Sequence, residues 1–189
     1  MVIEGVQRSL LEDSFVVLDV ETRRSAQEVG GWGSAHLMGI SLSVVYDSRT
    51  RDFTWYTQEE TPALARQVAS AGVVVGFNTL RFDYTVLQPH APELHFSRLN
   101  SIDILHHLQA ALGFRVSLES VATATLGAPK SADGLQALRW WKEGKTQEIG
   151  EYCQQDVAIT RDIYLHGKEH GFVRYMRKNG IVASVPALW

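Results

Sequence analysis

The chain has a single cysteine among 189 residues. That excludes an intramolecular disulfide framework and any multi-cysteine zinc site, and it suits a reducing cytosol. Proline is also scarce, with five residues. No Pro/Ser-rich linker, internal repeat or low-complexity tract occurs, so residues 1–189 are expected to form a single domain. No apolar run approaches the ~18 residues that a membrane span needs. The opening MVIEGVQRSLLEDS lacks the basic start and apolar core of a secretory signal, so a cytoplasmic protein is expected. A dominant charge is missing too: 18 basic residues face 21 acidic ones, for a net charge of −3. No bulk positive field therefore advertises a nucleic-acid partner. Charge decides little, because setting four carboxylates aside as metal ligands would leave the remainder slightly positive. What is present is a globular balance, 45% apolar and 21% charged, which excludes disorder and fibrous repeats.

The segment from Phe15 to Glu21 is a β-branched apolar run, the pattern of a strand buried on both faces. Gly30, Gly31 and Gly33 mark a loop. Leu37 to Tyr46 and Arg51 to Tyr56 then read as strands joined by a turn at Asp47-Ser48-Arg49. Thr61 to Ala71 reads as a helix, with Thr61 as N-cap and Pro62 at the first helical position. Val73-Val74-Val75 is a further buried strand. Asp103 to Leu112 and Ser117 to Leu126 are helix-like, followed by Gly113 and Gly127 near C′ positions. Further helices are expected over Ala132 to Trp141 and Thr146 to Leu165. The tail, residues 172–189, reads as a hairpin with a type I′ turn at Asn179-Gly180. The order predicts an α/β fold, a sheet of mixed strand directions with helices on its faces.

Carboxylates inside apolar patterns are informative, because burying an unpaired charge is costly. Asp19 and Glu21 stand two apart on the first strand, so both leave the same face and need a cation. An exposed strand end would explain them equally. Asp83 closes Gly76-Phe77-Asn78-Thr79-Leu80-Arg81-Phe82-Asp83, directly after the strand at Val73 to Val75, where strand ends carry binding groups. The alternative is a helix N-terminal acid facing the dipole. Ile149, Tyr152, Asp156, Ile159 and Ile163 share one helix face that is expected to point at the core. Asp156 interrupts it, either as a satisfied helix carboxylate or as a ligand. The four acids together would suit hard cations, Mg²⁺ or Mn²⁺, and not zinc.

Asp19-Val20-Glu21-Thr22, Gly76-Phe77-Asn78 to Phe82-Asp83, and Tyr152-Cys153-Gln154-Gln155-Asp156 resemble the three motifs of the DEDD superfamily of 3′-to-5′ exonucleases. Tyr152, four residues before Asp156, resembles the tyrosine subgroup (DEDDy). Glu151 stands where the histidine subgroup would carry histidine. The resemblance runs from about Phe15 to Gly171. Ser101 to Leu105, Ser117 to Ala122 and Thr125 to Lys130 are similar to a bacterial branch related to the family-B DNA polymerase exonuclease domain.

This resemblance implies a ribonuclease H-like mixed sheet flanked by helices, and phosphodiester hydrolysis with two Mg²⁺ or Mn²⁺ ions. It implies that Asp19 bridges both ions, that Glu21 and Asp156 complete the first site, and that Asp83 holds the second through water. Tyr152 would orient the attacking water, since a phenol with pKa ~10 is a poor base at neutral pH. Glu21 would also accept from the terminal 3′ hydroxyl, with the backbone at Val20 and Thr22 beside that sugar. Asn78 and Phe82 would position the next nucleotide, with Phe77 a lesser candidate for stacking. The expected partner is single-stranded nucleic acid, DNA favoured over RNA, and the product a nucleotide monophosphate. An RNA 3′-end trimming nuclease and a non-catalytic binding module are the alternatives, and the fold could also carry an endonuclease.

Other features read more plainly. His166 and His170 are expected near a helix C-terminus rather than on zinc. Gly30 to Gly33 does not lead into a helix and reads as a flexible turn. Arg139-Trp140-Trp141-Lys142 fits a nucleic-acid platform or a packed helix end. Lys130, Arg23, Arg24 and Arg81 are candidate phosphate contacts. Asp103 is expected as a helix N-terminal residue and Cys153 as a structural thiol.

Overall fold

A computed structural model describes residues 14–128 and 134–189. Most of the opening segment read as lacking a secretory signal, Lys130 and the expected helix start at Ala132 lie outside the described residues. Strand β1 (Phe15–Thr22) pairs antiparallel with β2 (Ile40–Asp47), which pairs antiparallel with β3 (Asp52–Tyr56). On its other side β1 runs parallel to β4 (Val73–Gly76), and β4 parallel to β5 (Ser101–Asp103). The five-stranded sheet is therefore mixed, in the order β3-β2-β1-β4-β5. The helices are α1 (Thr61–Ala69), α2 (Asp83–Leu87), α3 (Ile104–Leu112), α4 (Leu118–Leu126), α5 (Gly134–Lys142) and α6 (Thr146–His170). A hairpin of β6 (Phe172–Met176) and β7 (Val182–Pro186) follows them.

The period-two alternation of β1 divides the core. Val16, Leu18 and Val20 point to one face, where they pack with Leu64, Val68, Leu87 and Phe96. Val17 points to the other, under Ile149, Cys153 and Val157 of α6. Asp19 and Glu21 continue the Val17 side, so the alternation aims both acids at α6. A register shift between Glu21 and Thr22 marks a bulge there, a device that re-aims strand-end side chains. Gly150 lets α6 come close to the sheet: a Cβ there would lie 2.1 Å from the Trp55 ring. Trp55 Nε1 donates to Gln154 Oε1 at 2.7 Å, which fixes the rotation of the helix.

Several local expectations shift. The buried stripe of α6 is Ile149, Cys153, Val157, Thr160, Ile163 and Gly167. Tyr152, Asp156 and Ile159 are only half-buried and flank that stripe instead of forming it. The two motif side chains stand one residue, about 100° of helix, from the core axis. Glu60 occupies the N-cap position of α1, because Thr61 turns its hydroxyl back to donate to Gln58 O. Gly31 leads into a short 3₁₀ helix, Trp32–Leu37, where a flexible turn was expected. The hairpin turn is not type I′, which needs positive φ at both central residues. Here Gly180 has φ 79° and Asn179 does not share it. Arg177 N donates to Ile181 O at 2.9 Å across a longer loop.

Candidate active site

The loop after β4 is shaped by its glycine. A Cβ on Gly76 would fall 1.8 Å from Thr79 Oγ1 and 3.2 Å from the Leu18 carbonyl, so the chain can fold back tightly only without one. Asn78 then adopts φ 74°, a left-handed conformation that asparagine tolerates. Asp103 holds this loop. It caps α3 by accepting from His106 N at 3.0 Å, and it accepts from Asn78 N at 2.9 Å and Leu80 N at 3.0 Å. It is therefore a structural acid at a helix N-terminus, as expected.

Asp19 and Glu21 from β1 and Asp156 from α6 each offer a carboxylate oxygen within 4.8 Å of the others. Asp83 is buried at the start of α2 and lies outside that trio, but its charge reaches Asp19 and Glu21. Among the described residues, no ion pair involves any of the four. The electrostatic consequence is uniform. Burial pushes the Asp19 carboxyl up to about 6. Burial, then the Asp19 charge, pushes Asp156 up to about 7. Glu21 is raised well above the usual carboxylate range by burial and by Asp19, Asp156 and Asp83, in that order. Asp83 is raised by burial first and then by Asp19.

Tyr152 stands one turn before Asp156, its ring centroid 6.2 Å from that of Trp140. Burial, followed by the charges of Asp156 and Glu21, raises its phenol pKa. Cys153 is buried and its thiol donates to Asp19 Oδ2 at 3.3 Å. The thiol thus helps to hold the acid's orientation, a contact that its position beside Tyr152 in sequence does not reveal. Burial and the Asp19 charge hold the thiol protonated.

A divalent cation fits these residues. The donors are all oxygen, the choice of hard ions such as Mg²⁺. Oδ1 of Asp156 is buried without a hydrogen-bond partner among the described residues, and like charges held this close are stable as anions only with a cation between them.

The acids open into a cleft of about 590 Å³ that is also lined by Val20, Thr22, Asn78 and Phe82. All four residues expected to bind substrate therefore line the same cleft as Asp19, Glu21 and Asp156, although the Val20 side chain itself packs on the opposite face of the sheet. Phe77 packs into the core instead. Two neighbours had no sequence signal. Exposed Trp32 meets Phe82 edge-on, centroids 6.0 Å apart, and Arg115 donates to Asn78 Oδ1 at 2.9 Å. Of the candidate phosphate contacts, Arg24 lines the cleft and Arg81 the adjoining cavities. Arg23 is committed elsewhere: Nε donates to Ile40 O at 2.7 Å and the guanidinium lies over Trp141. In the Arg139–Lys142 segment Trp140 and Trp141 pack against the core as at a packed helix end, while Arg139 and Lys142 stay exposed and Lys142 pairs with Glu28 at 2.9 Å. His166 and His170 meet edge-on, ring centroids 4.3 Å apart, at the end of α6.

Residues 16–167 match the RNase_H superfamily. The chain belongs to that superfamily. Its mixed five-stranded sheet flanked by helices is the ribonuclease H-like fold. A family B DNA polymerase from the hyperthermophilic archaeon Pyrobaculum calidifontis is similar over 82% of the chain, with TM-score 0.62 and 13% identity. Exonuclease I is similar over 82% of the chain, with TM-score 0.46 and 12% identity. The chain spans 24% of the polymerase and 42% of Exonuclease I. No curated protein matches the chain. Among the described residues, no helix of this superfamily member is long and apolar enough to cross a membrane.

Proposed function

We propose that the chain is a metal-dependent 3′-to-5′ exonuclease of the tyrosine DEDD subgroup, in the bacterial branch related to family-B polymerase exonuclease domains. Its substrate is single-stranded DNA and its setting the cytoplasm. The observation that carries this reading is the meeting of Asp19, Glu21 and Asp156 within 4.8 Å, with no cation partner among the described residues, on the lining of a cleft. Asp19, Glu21 and Asp156 would hold one divalent ion, and Asp83 with Asp19 a second. Such ions neutralise charge at a scissile phosphate and lower the pKa of water.

The chain's own groups do the rest. Tyr152 keeps its proton, since its pKa is raised, so its hydroxyl can donate to and orient the attacking water but cannot act as base. Glu21 accepts from the terminal 3′ hydroxyl, which selects chain ends over internal positions. The backbone at Val20 and Thr22 flanks that sugar. Asn78, fixed by its left-handed backbone and by Arg115, positions the next nucleotide, and Phe82 packs against its base. Water oxygen bonds to phosphorus as the bond to the 3′ oxygen breaks. That oxygen takes a proton, and a nucleoside 5′-monophosphate leaves.

The test is a 5′-labelled single strand of DNA, and one of RNA, incubated with Mg²⁺, Mn²⁺ or chelator. A DNA ladder that shortens from the 3′ end only with metal is the expected result. Shortening of RNA alone, internal cleavage, or activity in chelator overturns the reading.

A further inference from the structure

A second concavity, about 780 Å³, opens between the start of α4 and the turn of the β6–β7 hairpin. Its lining carries Arg115, Arg177 and Lys178, and among the described residues no carboxylate joins them. This local excess of cations stands on a chain whose net charge is −3. Its floor is aromatic and apolar. Phe114, half exposed, meets Tyr175 edge-on with centroids 5.9 Å apart, and Met176 lies beside them. The walls are braced: Ser120 Oγ donates to Met176 O at 3.0 Å, and Thr125 Oγ1 to Arg174 O at 2.8 Å, tying β6 to α4.

Shared lining residues lead from this groove to the acidic cleft. Arg115 lines the groove and also two smaller cavities that contain Asn78, and Asn78 in turn lines the cleft. The hydrogen bond from Arg115 to Asn78 Oδ1 bridges the two. Without bound metal the clustered acids repel a polyanion, with Arg24 the cation among the described residues of the cleft lining, so cations beyond the cleft add attraction for a nucleic acid. Cations interleaved with an exposed aromatic ring are how sequence-tolerant single-strand surfaces work, the charges tracking phosphates and the ring stacking a base.

We propose that this groove binds the 5′-ward part of the strand whose 3′ end enters the acidic cleft, with phosphates on Arg115, Arg177 and Lys178 and a base on Phe114. The proposal rests on the exonuclease reading above. It makes affinity depend on substrate length, since only strands that reach past Arg115 gain the second set of contacts.

The test is fluorescence anisotropy in chelator, where nothing is hydrolysed, with 5′-fluorescein oligothymidylates of about four and about 16 nucleotides, bracketing known site sizes. The longer strand is expected to bind at least ~10-fold tighter. The double variant Arg177→Gln, Lys178→Gln is expected to lose most of that advantage. Its slope of log affinity against log salt should fall by about 1.4, at ~0.7 per lost single-strand phosphate contact. Phe114→Ala should weaken the long strand and leave the slope alone. Thermal melts of each variant check that the fold is kept, and Lys178→Gln alone offers a milder substitution. Equal affinities for short and long strands overturn the proposal. So does an unaltered double variant, or displacement by polyglutamate as effective as by oligothymidylate. Failure of the exonuclease reading shows separately, as the absence of Mg²⁺-dependent shortening of either oligonucleotide by the wild type.

Discussion

Two ends of the same strand pair bury acid in opposite ways. At one end Asp47, on the last residue of β2, is buried and accepts from Arg49 N at 2.9 Å and Arg49 Nε at 2.8 Å. Those hydrogen bonds hold its carboxyl below the usual range. At the other end Asp19 and Glu21 of β1, with Asp83 and Asp156, have no cation among the described residues, and all four are pushed up. The first arrangement is complete as folded. The second is destabilised by its own charge until something positive arrives, and a site that binds cations has that property.

That contrast can be broken by removing one acid from each end. Asp19→Ala should abolish metal-dependent cleavage, a loss of roughly 10³-fold or more at about 1.4 kcal/mol per tenfold, and leave the fold intact. Equal activity of the purified variant and wild type would refute the site. Asp47→Asn should do the reverse. It should cost about 1–3 kcal/mol of stability, because Arg49 loses its charged acceptor, while kcat stays within about twofold on the scale of transition-state effects. A denaturant melt beside an activity assay reads both.

Tyr152→Phe should be milder than Asp156→Ala. Loss of one orienting hydrogen bond is worth about tenfold in kcat, and the four acids stay in place. The reverse order would contradict the roles assigned.

The smallest effect concerns pH. Folded Asp19 and Asp156 titrate at about 6 and about 7, against the ordinary 3.8. Between about pH 4 and pH 7 the folded chain therefore holds more protons than the unfolded one, and stability falls as pH rises. Asp47, with its lowered value, loses its contribution only as pH falls below the ordinary range. In chelator, the wild-type Tm should drop from about pH 5 to about pH 8, and by less in Asp156→Asn. Parallel curves would contradict the shifts.

The mixed sheet and its helices are legible in the sequence, because β-branched runs, capping residues and glycines after helices are local signals. That Asp19, Glu21 and Asp156 meet is legible for a different reason. Each interrupts an apolar pattern, and a buried charge needs company. The helix face carrying Asp156 is misread by one residue, since Ile149 and Ile163 fit either of two stripes and only Trp55 against Gly150 decides the rotation. Arg115 and Trp32 leave no trace in periodicity. One lies in a loop between two helices and the other at the start of a short 3₁₀ helix, and both matter through partners distant in the chain, Asn78 and Phe82. The Asn179-Gly180 pair signals a turn correctly and its type wrongly, because hairpin length is set by how β6 and β7 pair.

The most direct test of the central claim, that the unpaired acids are a cation site, is calorimetric titration of Mn²⁺ into metal-free protein near neutral pH. The wild type should take up about two ions per chain, as a two-metal site does, and Asp19→Asn, with its shape kept and its charge removed, should lose that uptake. Identical binding curves for the two proteins, or no heat from either, would contradict it.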